Sequence, residues 1–229
     1  MTTISTNLQA VRARIAAAAE MAGRPPESIG LLAVSKTFPA EQVREAAGAG
    51  QLAFGENYVQ EGLVKIAALE GLGLEWHFIG PLQSNKTRLV AEHFTWVHGV
   101  ERLKIAERLS GARGAGRPPL QVCVQVNVSG EASKSGVSPG DTAALAQAVA
   151  TLPNLRLRGL MAIPEPTDDM ALARRRFSTL RQLRDTLNEA GLALDTLSMG
   201  MSHDLEAAIL EGATLVRVGT AIFGERART

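Results

Sequence analysis

The sequence predicts a single-domain (β/α)8 barrel of the TIM type, with an extra N-terminal helix, over residues 1–229. Eight strand-like segments alternate with helical segments, and one further helical segment precedes the first strand. The length of 229 residues is close to the roughly 250 that are usual for such barrels. A doubly wound open sheet is the alternative, but no Gly-x-Gly-x-x-Gly motif follows the first strand.

The first half of the chain contains the leading helix and four strands. Apolar residues recur at helical spacing over Leu8–Met21, and Gly23 ends this helix. The apolar run Ile29–Val34 predicts a first strand that is buried on both faces. The predicted elements that follow are a helix over Pro39–Ala47, a strand over Leu52–Phe54, a helix ending at Leu69, a strand over Trp76–Gly80, a helix over Thr87–His93 and a strand over Phe94–Val100.

The second half repeats the alternation and contains the clearest strand pattern, over Leu120–Val128. Valines at every second position alternate with Gln121, Cys123, Gln125 and Asn127, so one face is apolar and the other polar. In a parallel barrel the valines meet the helices and the amides point inward, and a partly polar interior suggests a ligand. The other predicted elements are helices over Glu101–Leu109, from after Pro139 to Ala150, over Met170–Ala190 and over Ser202–Leu210, and strands over Leu155–Ile163, Leu194–Met199 and Thr214–Phe223.

Composition limits the class of protein. The formal net charge is +1 and basic residues are scattered among acidic ones, so nothing indicates a nucleic-acid-binding surface. Cys123 is the only cysteine, which excludes a disulfide framework and favours a reducing cytoplasm. No apolar run reaches the roughly 18 residues that cross a bilayer, and the first residues do not resemble a signal peptide. We therefore expect a cytoplasmic protein that does not bind membranes.

Lys36 follows the first predicted strand directly. Period-two alternation places Leu32, Val34 and Lys36 on one side of that strand. At the end of a barrel strand an amine is held with little freedom and is partly desolvated. Partial burial lowers the pKa of a lysine and lets it condense with an aldehyde. The alternative is a lysine that extends from the strand end into water.

The loops after strands seven and eight are the second candidate region, because barrels often hold phosphate there. Ser198–Asp204 is small and polar and runs into a helix, where backbone N–H groups and the Ser202 hydroxyl suit a phosphate; alternatively Ser202 only caps the helix. Alternation in strand eight places Arg217 in the barrel mouth, where its partner is a ring nitrogen, a phosphate or an internal carboxylate. Gly219 lets the backbone approach an anion, and Thr220 offers a hydroxyl and an N–H.

The histidines predict no metal site. His77 lies in an apolar strand, where a histidine is more often a satisfied core residue than a ligand. His93, His98 and His203 have no metal-ligand spacing with carboxylates or with one another. We expect no bound metal.

Several stretches carry longer motifs. They are Ala33–Thr37, Phe54–Asn57, His77–Lys86, Ser198–Asp204 and Arg217–Gly224. Together, and in this order, they resemble the pyridoxal phosphate homeostasis protein family, which is similar to the N-terminal barrel of alanine racemase. The resemblance extends from the leading helix to the last glycine, and several long motifs in order are far more specific than any single one.

This resemblance implies a barrel with pyridoxal 5'-phosphate bound as a Schiff base to Lys36, and with Arg217 facing the pyridine nitrogen. For the phosphate it implies Ser202, Gly219 and Thr220, with the backbone of Met201. For the pocket wall it implies Asn57 and Ser198. Lys134 matches a lysine that is common in the family's loop after strand five. Phe38 departs from the lysine that some members carry two positions after the Schiff-base lysine.

The family has no defined catalytic reaction and is regarded as controlling the free level and the delivery of the cofactor. The resemblance therefore implies a non-catalytic protein whose partners are pyridoxal phosphate and apo forms of pyridoxal phosphate-dependent enzymes; we expect a monomer or weak dimer. Arginine only donates hydrogen bonds, so Arg217 would leave the pyridine nitrogen unprotonated and the ring a weak electron sink. A racemase also needs a second base, which the resembled enzyme takes from a further domain, and Tyr58 is the only tyrosine here.

Two other functions are compatible with the same residues. The first is a small pyridoxal phosphate-dependent enzyme that resembles an amino-acid racemase. The second is a barrel aldolase or isomerase in which Lys36 meets a phosphosugar directly.

Overall fold

The computed structural model describes residues 3–114, 116–130 and 135–225 and contains eight parallel strands. They are β1 (Gly30–Val34), β2 (Ala53–Glu56), β3 (Glu75–Phe78), β4 (Trp96–Val100), β5 (Leu120–Gln125), β6 (Leu155–Met161), β7 (Thr196–Ser198) and β8 (Leu215–Val218). Each strand pairs with the next along the chain, and β8 pairs with β1 over Gly30–Ala33, which closes the barrel. The predicted (β/α)8 architecture is confirmed.

One α-helix precedes β1 and one follows each strand. The helices are α1 (Ile4–Met21), α2 (Ala40–Gly48), α3 (Val59–Ala68), α4 (Thr87–His93), α5 (Leu103–Ala112), α6 (Thr142–Ala150), α7 (Met170–Glu189), α8 (Leu205–Leu210) and α9 (Thr220–Phe223), with short 3₁₀ turns at Pro26–Ser28, Ser84–Lys86 and Pro139–Asp141. In the part of the chain that the structure describes, no helix is both long enough and apolar enough to cross a membrane.

The N-terminal helix α1 supports the last two units of the barrel. The Thr3 hydroxyl caps it by accepting the N–H of Thr6, and its apolar face is buried against α2, α8 and α9. The Asn7 side chain donates to the carbonyl of Ile222 in α9 at 2.8 Å. Arg14 donates to the carbonyl of Ser202 at 2.9 Å. The helix therefore holds the two segments that follow β7 and β8.

The structure corrects the predicted eighth strand. β8 ends at Val218, and Thr220–Phe223, which the sequence pattern assigned to the strand, forms α9. Gly219 turns the chain, and its carbonyl accepts the N–H groups of Ile222 and Phe223. A short, mainly apolar run fits a buried helix as well as a buried strand, so its periodicity alone does not distinguish the two.

The alternation predicted along β1 is confirmed. Leu32 and Val34 pack with Ile79 in a cluster inside the barrel. Ala33 belongs instead to the large core between the strands and the surrounding helices. The side of β1 that carries Lys36 is therefore the side that faces the barrel interior.

The strand β5 shows the same division. Val122 and Val124 lie in the core beneath the helices, as the pattern predicts. Cys123 packs with Trp96 and Met161 in a second cluster inside the barrel. The strand ends at Gln125, earlier than the alternating pattern does.

Candidate functional site

A cavity of about 190 Å³ lies at the carboxyl-terminal ends of the strands, the face on which barrel sites are built. Seven of the eight residues that the sequence predicted around a cofactor line this cavity: Lys36, Asn57, Met201, Ser202, Arg217, Gly219 and Thr220. Ser198 is fully buried and does not line it. Sequence reasoning missed the apolar part of the wall, which includes Phe38, Ile79 and Ile163.

Lys36 enters the cavity from the turn after β1. The next residue, Thr37, has φ of 69°, a left-handed conformation that is uncommon for a β-branched residue. The N–H of Thr37 donates to Glu61 Oε1 at 2.5 Å, which holds this turn against α3. On the opposite face of the strand, the Ser35 hydroxyl donates to Glu56 Oε1 at 2.6 Å. The residues on both sides of Lys36 are therefore held by carboxylates, Thr37 through its backbone and Ser35 through its side chain.

A buried ammonium group joins those carboxylates, and the sequence analysis did not identify it. Lys65 is only 3% exposed, and its Nζ donates to the Ser35 carbonyl at 2.6 Å, to Glu56 Oε1 at 2.7 Å and to Glu61 Oε1 at 2.5 Å. Burial raises the pKa of Glu56 to about 7, against the lowering effects of Lys65 and of the Ser35 hydroxyl. The four residues Ser35, Glu56, Glu61 and Lys65 form what we call the Lys65 cluster, which lies directly behind the turn of Lys36.

Arg217 projects from β8 into the barrel, as alternation predicted. Its guanidinium donates to the Ser198 carbonyl at 2.6 Å, to Ser198 Oγ at 2.7 Å and to the Ala162 carbonyl at 2.8 Å. Burial lowers the pKa of Arg217 to about 10, so the group remains charged at neutral pH. Ser198 is thus a support behind Arg217 rather than part of the cavity wall.

The loop after β7 differs in detail from the expectation. The helix α8 begins at Leu205, so Ser202 is not its cap, and the Ser202 side chain remains at the cavity. The N–H of Met201 donates to Asp204 Oδ1 at 2.6 Å and is not an open donor. Desolvation raises the pKa of Asp204, although this N–H opposes the effect. His203 also lines the cavity and was not predicted to do so.

Two close backbone approaches shape the rest of the wall. A Cβ at Gly219 would lie 3.1 Å from the Val34 carbonyl, so β8 passes tightly beside β1. A Cβ at Gly80 would lie 2.4 Å from the Asn57 carbonyl, which only glycine permits. Asn57 Oδ1 is buried and has no hydrogen-bond partner within the described residues. The wall therefore contains an unsatisfied acceptor.

Comparison with known proteins places this geometry in a family. The model for the alanine racemase N-terminal domain matches residues 6–227. The pyridoxal phosphate homeostasis protein of Pseudomonas aeruginosa is 66% identical over 226 residues, which cover 99% of this chain and 97% of that protein. The chain belongs to the pyridoxal phosphate homeostasis protein family. The resemblance carried by the five motifs is thereby confirmed.

Other members of the pyridoxal phosphate homeostasis protein family agree with this assignment. The protein of that name from Escherichia coli K12 is 56% identical over 234 residues, which cover 99% of this chain and 98% of that protein. The solved structure of PipY from Synechococcus elongatus, with pyridoxal phosphate bound, has a TM-score of 0.85 at 38% identity. That match covers 97% of this chain and 100% of PipY.

Lys86 and Lys134 are two further lysines, which the sequence places in the loops after the third and fifth predicted strands. Lys86 ends a 3₁₀ turn and does not line the cavity. Lys134 lies outside the described residues. Among the histidine, cysteine and acidic side chains that the structure describes, no group of three is arranged to hold a metal ion.

Proposed function

We propose that this chain binds pyridoxal 5'-phosphate as a Schiff base on Lys36 and takes part in the intracellular homeostasis and delivery of that cofactor. Residues 1–229 would form one binding barrel for it. The observation that carries the proposal is that Lys36, Arg217 and Thr220, which are far apart in sequence, line one cavity at the carboxyl ends of the strands. The names of the relatives and the ligand of PipY support the same conclusion.

The polar groups of the cavity match the three polar parts of this ligand. Lys36 supplies an amine for the aldehyde, and the Arg217 guanidinium supplies a donor for the pyridine nitrogen. Ser202 and Thr220 supply hydroxyl donors for the phosphate, together with backbone N–H groups beside Gly219. Asn57 Oδ1 gives further support, since a buried acceptor without a partner among the described residues is costly, and a ligand group that donates a hydrogen bond, such as the ring hydroxyl of the cofactor, would relieve that cost.

The same residues argue for a binding protein rather than an enzyme. When bound, pyridoxal phosphate supplies an electrophilic carbon and a ring that can withdraw electrons. Arg217 stays charged and donates only, so it does not protonate the ring nitrogen, and electron withdrawal stays weak. Tyr58, the only tyrosine, is exposed and does not line the cavity. We assign no catalytic residue, and we infer that the partners are the cofactor and apo forms of enzymes that use it.

Reduction with borohydride tests the attachment site. Protein loaded with pyridoxal phosphate is reduced, digested and analysed by peptide mass spectrometry, and we expect the pyridoxyl group on Lys36. Lys36→Ala should lose the visible absorption of the bound cofactor, whereas the control Lys86→Ala should keep it. A label found on Lys86 or Lys134 alone would show that the cofactor lies elsewhere. Absence of any yellow bound form would instead favour a barrel aldolase or isomerase.

A transfer assay tests the delivery function. The loaded protein is mixed with a cofactor-free aminotransferase and a scavenger of free pyridoxal phosphate, and we expect aminotransferase activity to return. Failure to return while the cofactor stays on Lys36 would contradict delivery. A panel of amino acids tests the enzymatic alternative, because turnover above about 1 s⁻¹ is within the usual range of enzymes and would establish a racemase-like catalyst.

A further inference from the structure

A chain of polar side chains crosses the barrel interior from its amino-terminal end to the cavity. Arg217 Nη1 lies 2.7 Å from Ser198 Oγ, and Ser198 Oγ lies 2.8 Å from His98 Nδ1. His98 Nε2 lies 2.9 Å from His77 Nδ1, and His77 Nε2 lies 2.7 Å from Glu75 Oε1. Glu75 is the first residue of β3 and its side chain is half-exposed at the far end of the barrel. We call these five residues the interior relay.

The two ends of the interior relay fix the direction of every hydrogen bond in it. Arg217 has no acceptor, so Ser198 Oγ must accept from it, and the Ser198 proton remains available for His98 Nδ1. The hydrogen bond from His77 lowers the pKa of Glu75, which is therefore an ionised acceptor. His77 must then donate from Nε2, and His98 must donate from Nε2 to His77 Nδ1. Each histidine consequently carries its only proton on Nε2.

Both rings remain neutral in this arrangement. Burial lowers the pKa of His77, although Glu75 opposes the effect. Burial lowers the pKa of His98 further, and the charge of Arg217 adds to this effect. Trp96 stacks on His77 with ring centroids 5.2 Å apart and an interplanar angle of 5°, which fixes the plane of that ring. Packing therefore sets the plane of the His77 ring, and the ends of the relay set its tautomer.

This direction has an electrostatic consequence for the buried cation. Every acceptor in the relay faces Arg217 and every N–H or O–H faces Glu75, so the bond dipoles stabilise a positive charge at one end and a negative charge at the other. Arg217 is 3% exposed, and its three hydrogen bonds all go to neutral oxygen atoms. The Asp204 charge also favours the charged form. A cation in this position depends strongly on oriented dipoles, since it has little contact with water.

We propose that Glu75, His77 and His98 are positioning residues of the cofactor site, which act through Ser198 to orient the guanidinium of Arg217 for the pyridine nitrogen. None of the three lines the cavity. The choice of the pyridine nitrogen rests on the proposed function, whereas the directed hydrogen bonds do not.

Nuclear magnetic resonance of the ligand-free protein tests the relay itself. With ¹⁵N-labelled histidine at pH 7, we expect both His77 and His98 to be neutral and protonated at Nε2 alone. A proton on Nδ1 of either ring, or a charged ring, would overturn the directed relay. This measurement requires no cofactor, so it remains decisive even if the chain fails to bind pyridoxal phosphate.

A pair of matched variants tests the coupling to the cavity. Glu75→Gln keeps an oxygen that accepts from His77 and removes only the charge. The control Asp195→Asn removes the carboxylate that directly precedes β7. The Asp195 side chain is 51% exposed, against 50% for Glu75, and it bonds Arg158 instead of a residue of the relay. We expect Glu75→Gln to weaken pyridoxal phosphate binding roughly three- to tenfold and to shift its absorption maximum, because the relay transmits part of a unit charge. We expect less than about a twofold effect from Asp195→Asn. Equal effects of the two variants, measured by spectral titration on samples of matched folded fraction, would overturn the proposal.

Discussion

Lys65→Met gives the strongest test of how the turn of Lys36 is held. The substitution keeps the length of the side chain and removes an ammonium that makes three hydrogen bonds in a site where it is 3% exposed. Among the described residues, Glu56, which is fully buried, then keeps only the Ser35 hydroxyl as a partner. Removing one partner of a buried ion pair costs about 3–5 kcal/mol, because the other charge is left uncompensated. We expect a loss of that size in the free energy of unfolding at pH 8.

The loss should depend on pH in a direction that Glu56 determines. Burial raises its folded pKa to about 7, above the ordinary 4.5, so the folded state binds a proton more readily than the unfolded chain. The stability from this protonation is fully present below pH 4.5 and is lost as the pH rises through about 7. Lys65 lowers the Glu56 pKa, so its removal raises that pKa further and steepens the dependence. The loss at pH 5.5 should therefore be at least about 1 kcal/mol smaller than at pH 8.

Urea denaturation at pH 5.5 and pH 8 measures both effects. Lys104→Met, on the exposed side of α5, is the matched control and should change stability by less than about 0.5 kcal/mol. Combining Lys65→Met with Glu56→Gln should recover most of the loss, because both charges are then absent. A loss below about 1 kcal/mol at pH 8, or an equal loss at both pH values, would refute the view that Lys65 compensates a buried carboxylate.

Three further experiments test other parts of the structure. Thr220→Ala should weaken pyridoxal phosphate binding roughly ten- to a hundredfold in a spectral titration, through the loss of one hydrogen bond to a charged acceptor; unchanged affinity would place the phosphate elsewhere. Gly159→Ala should lower the stability by at least about 2 kcal/mol in thermal denaturation, because its Cβ would lie 1.7 Å from the Thr196 carbonyl, whereas Gly114→Ala meets nothing within 4 Å and should be neutral. Cys123 is fully buried, and burial raises the pKa of its thiol to about 12, so a thiol reagent should label it only after unfolding; rapid labelling of the folded protein would contradict its burial.

The residues of the cavity could be predicted where their placement follows from a local rule. Lys36 and Arg217 each lie two positions beyond an inward-facing residue of a strand, and alternation is a property of a few consecutive residues. The ends of parallel strands then meet on one face of the barrel, so both residues were expected there. The eighth strand was overextended because its last four residues fit a helix equally well.

The supporting residues could not be predicted, because their partners are distant in sequence. Glu61 and Lys65 form an ordinary i, i+4 pair on a helix, which in most proteins is solvated and of little consequence. Only the packing of α3 against β1 and β2 buries Lys65 and brings it to Ser35 and Glu56. His98 and Ser198 are likewise 100 positions apart, and only closure of the barrel brings them within hydrogen-bond distance.

The Lys65 cluster and the interior relay support different parts of the site. The Lys65 cluster lies between α3 and the ends of β1 and β2 and fixes the backbone on both sides of Lys36, whereas the interior relay lies inside the barrel and fixes the guanidinium of Arg217. The two sets have no residue in common: one holds the turn of Lys36, and the other holds the side chain of Arg217. Buried charges of this kind add little net stability, and their removal is costly mainly because a partner is left unsatisfied. Their value here is geometric: the backbone around Lys36 and the guanidinium of Arg217 are placed before a ligand arrives, so binding does not have to order them.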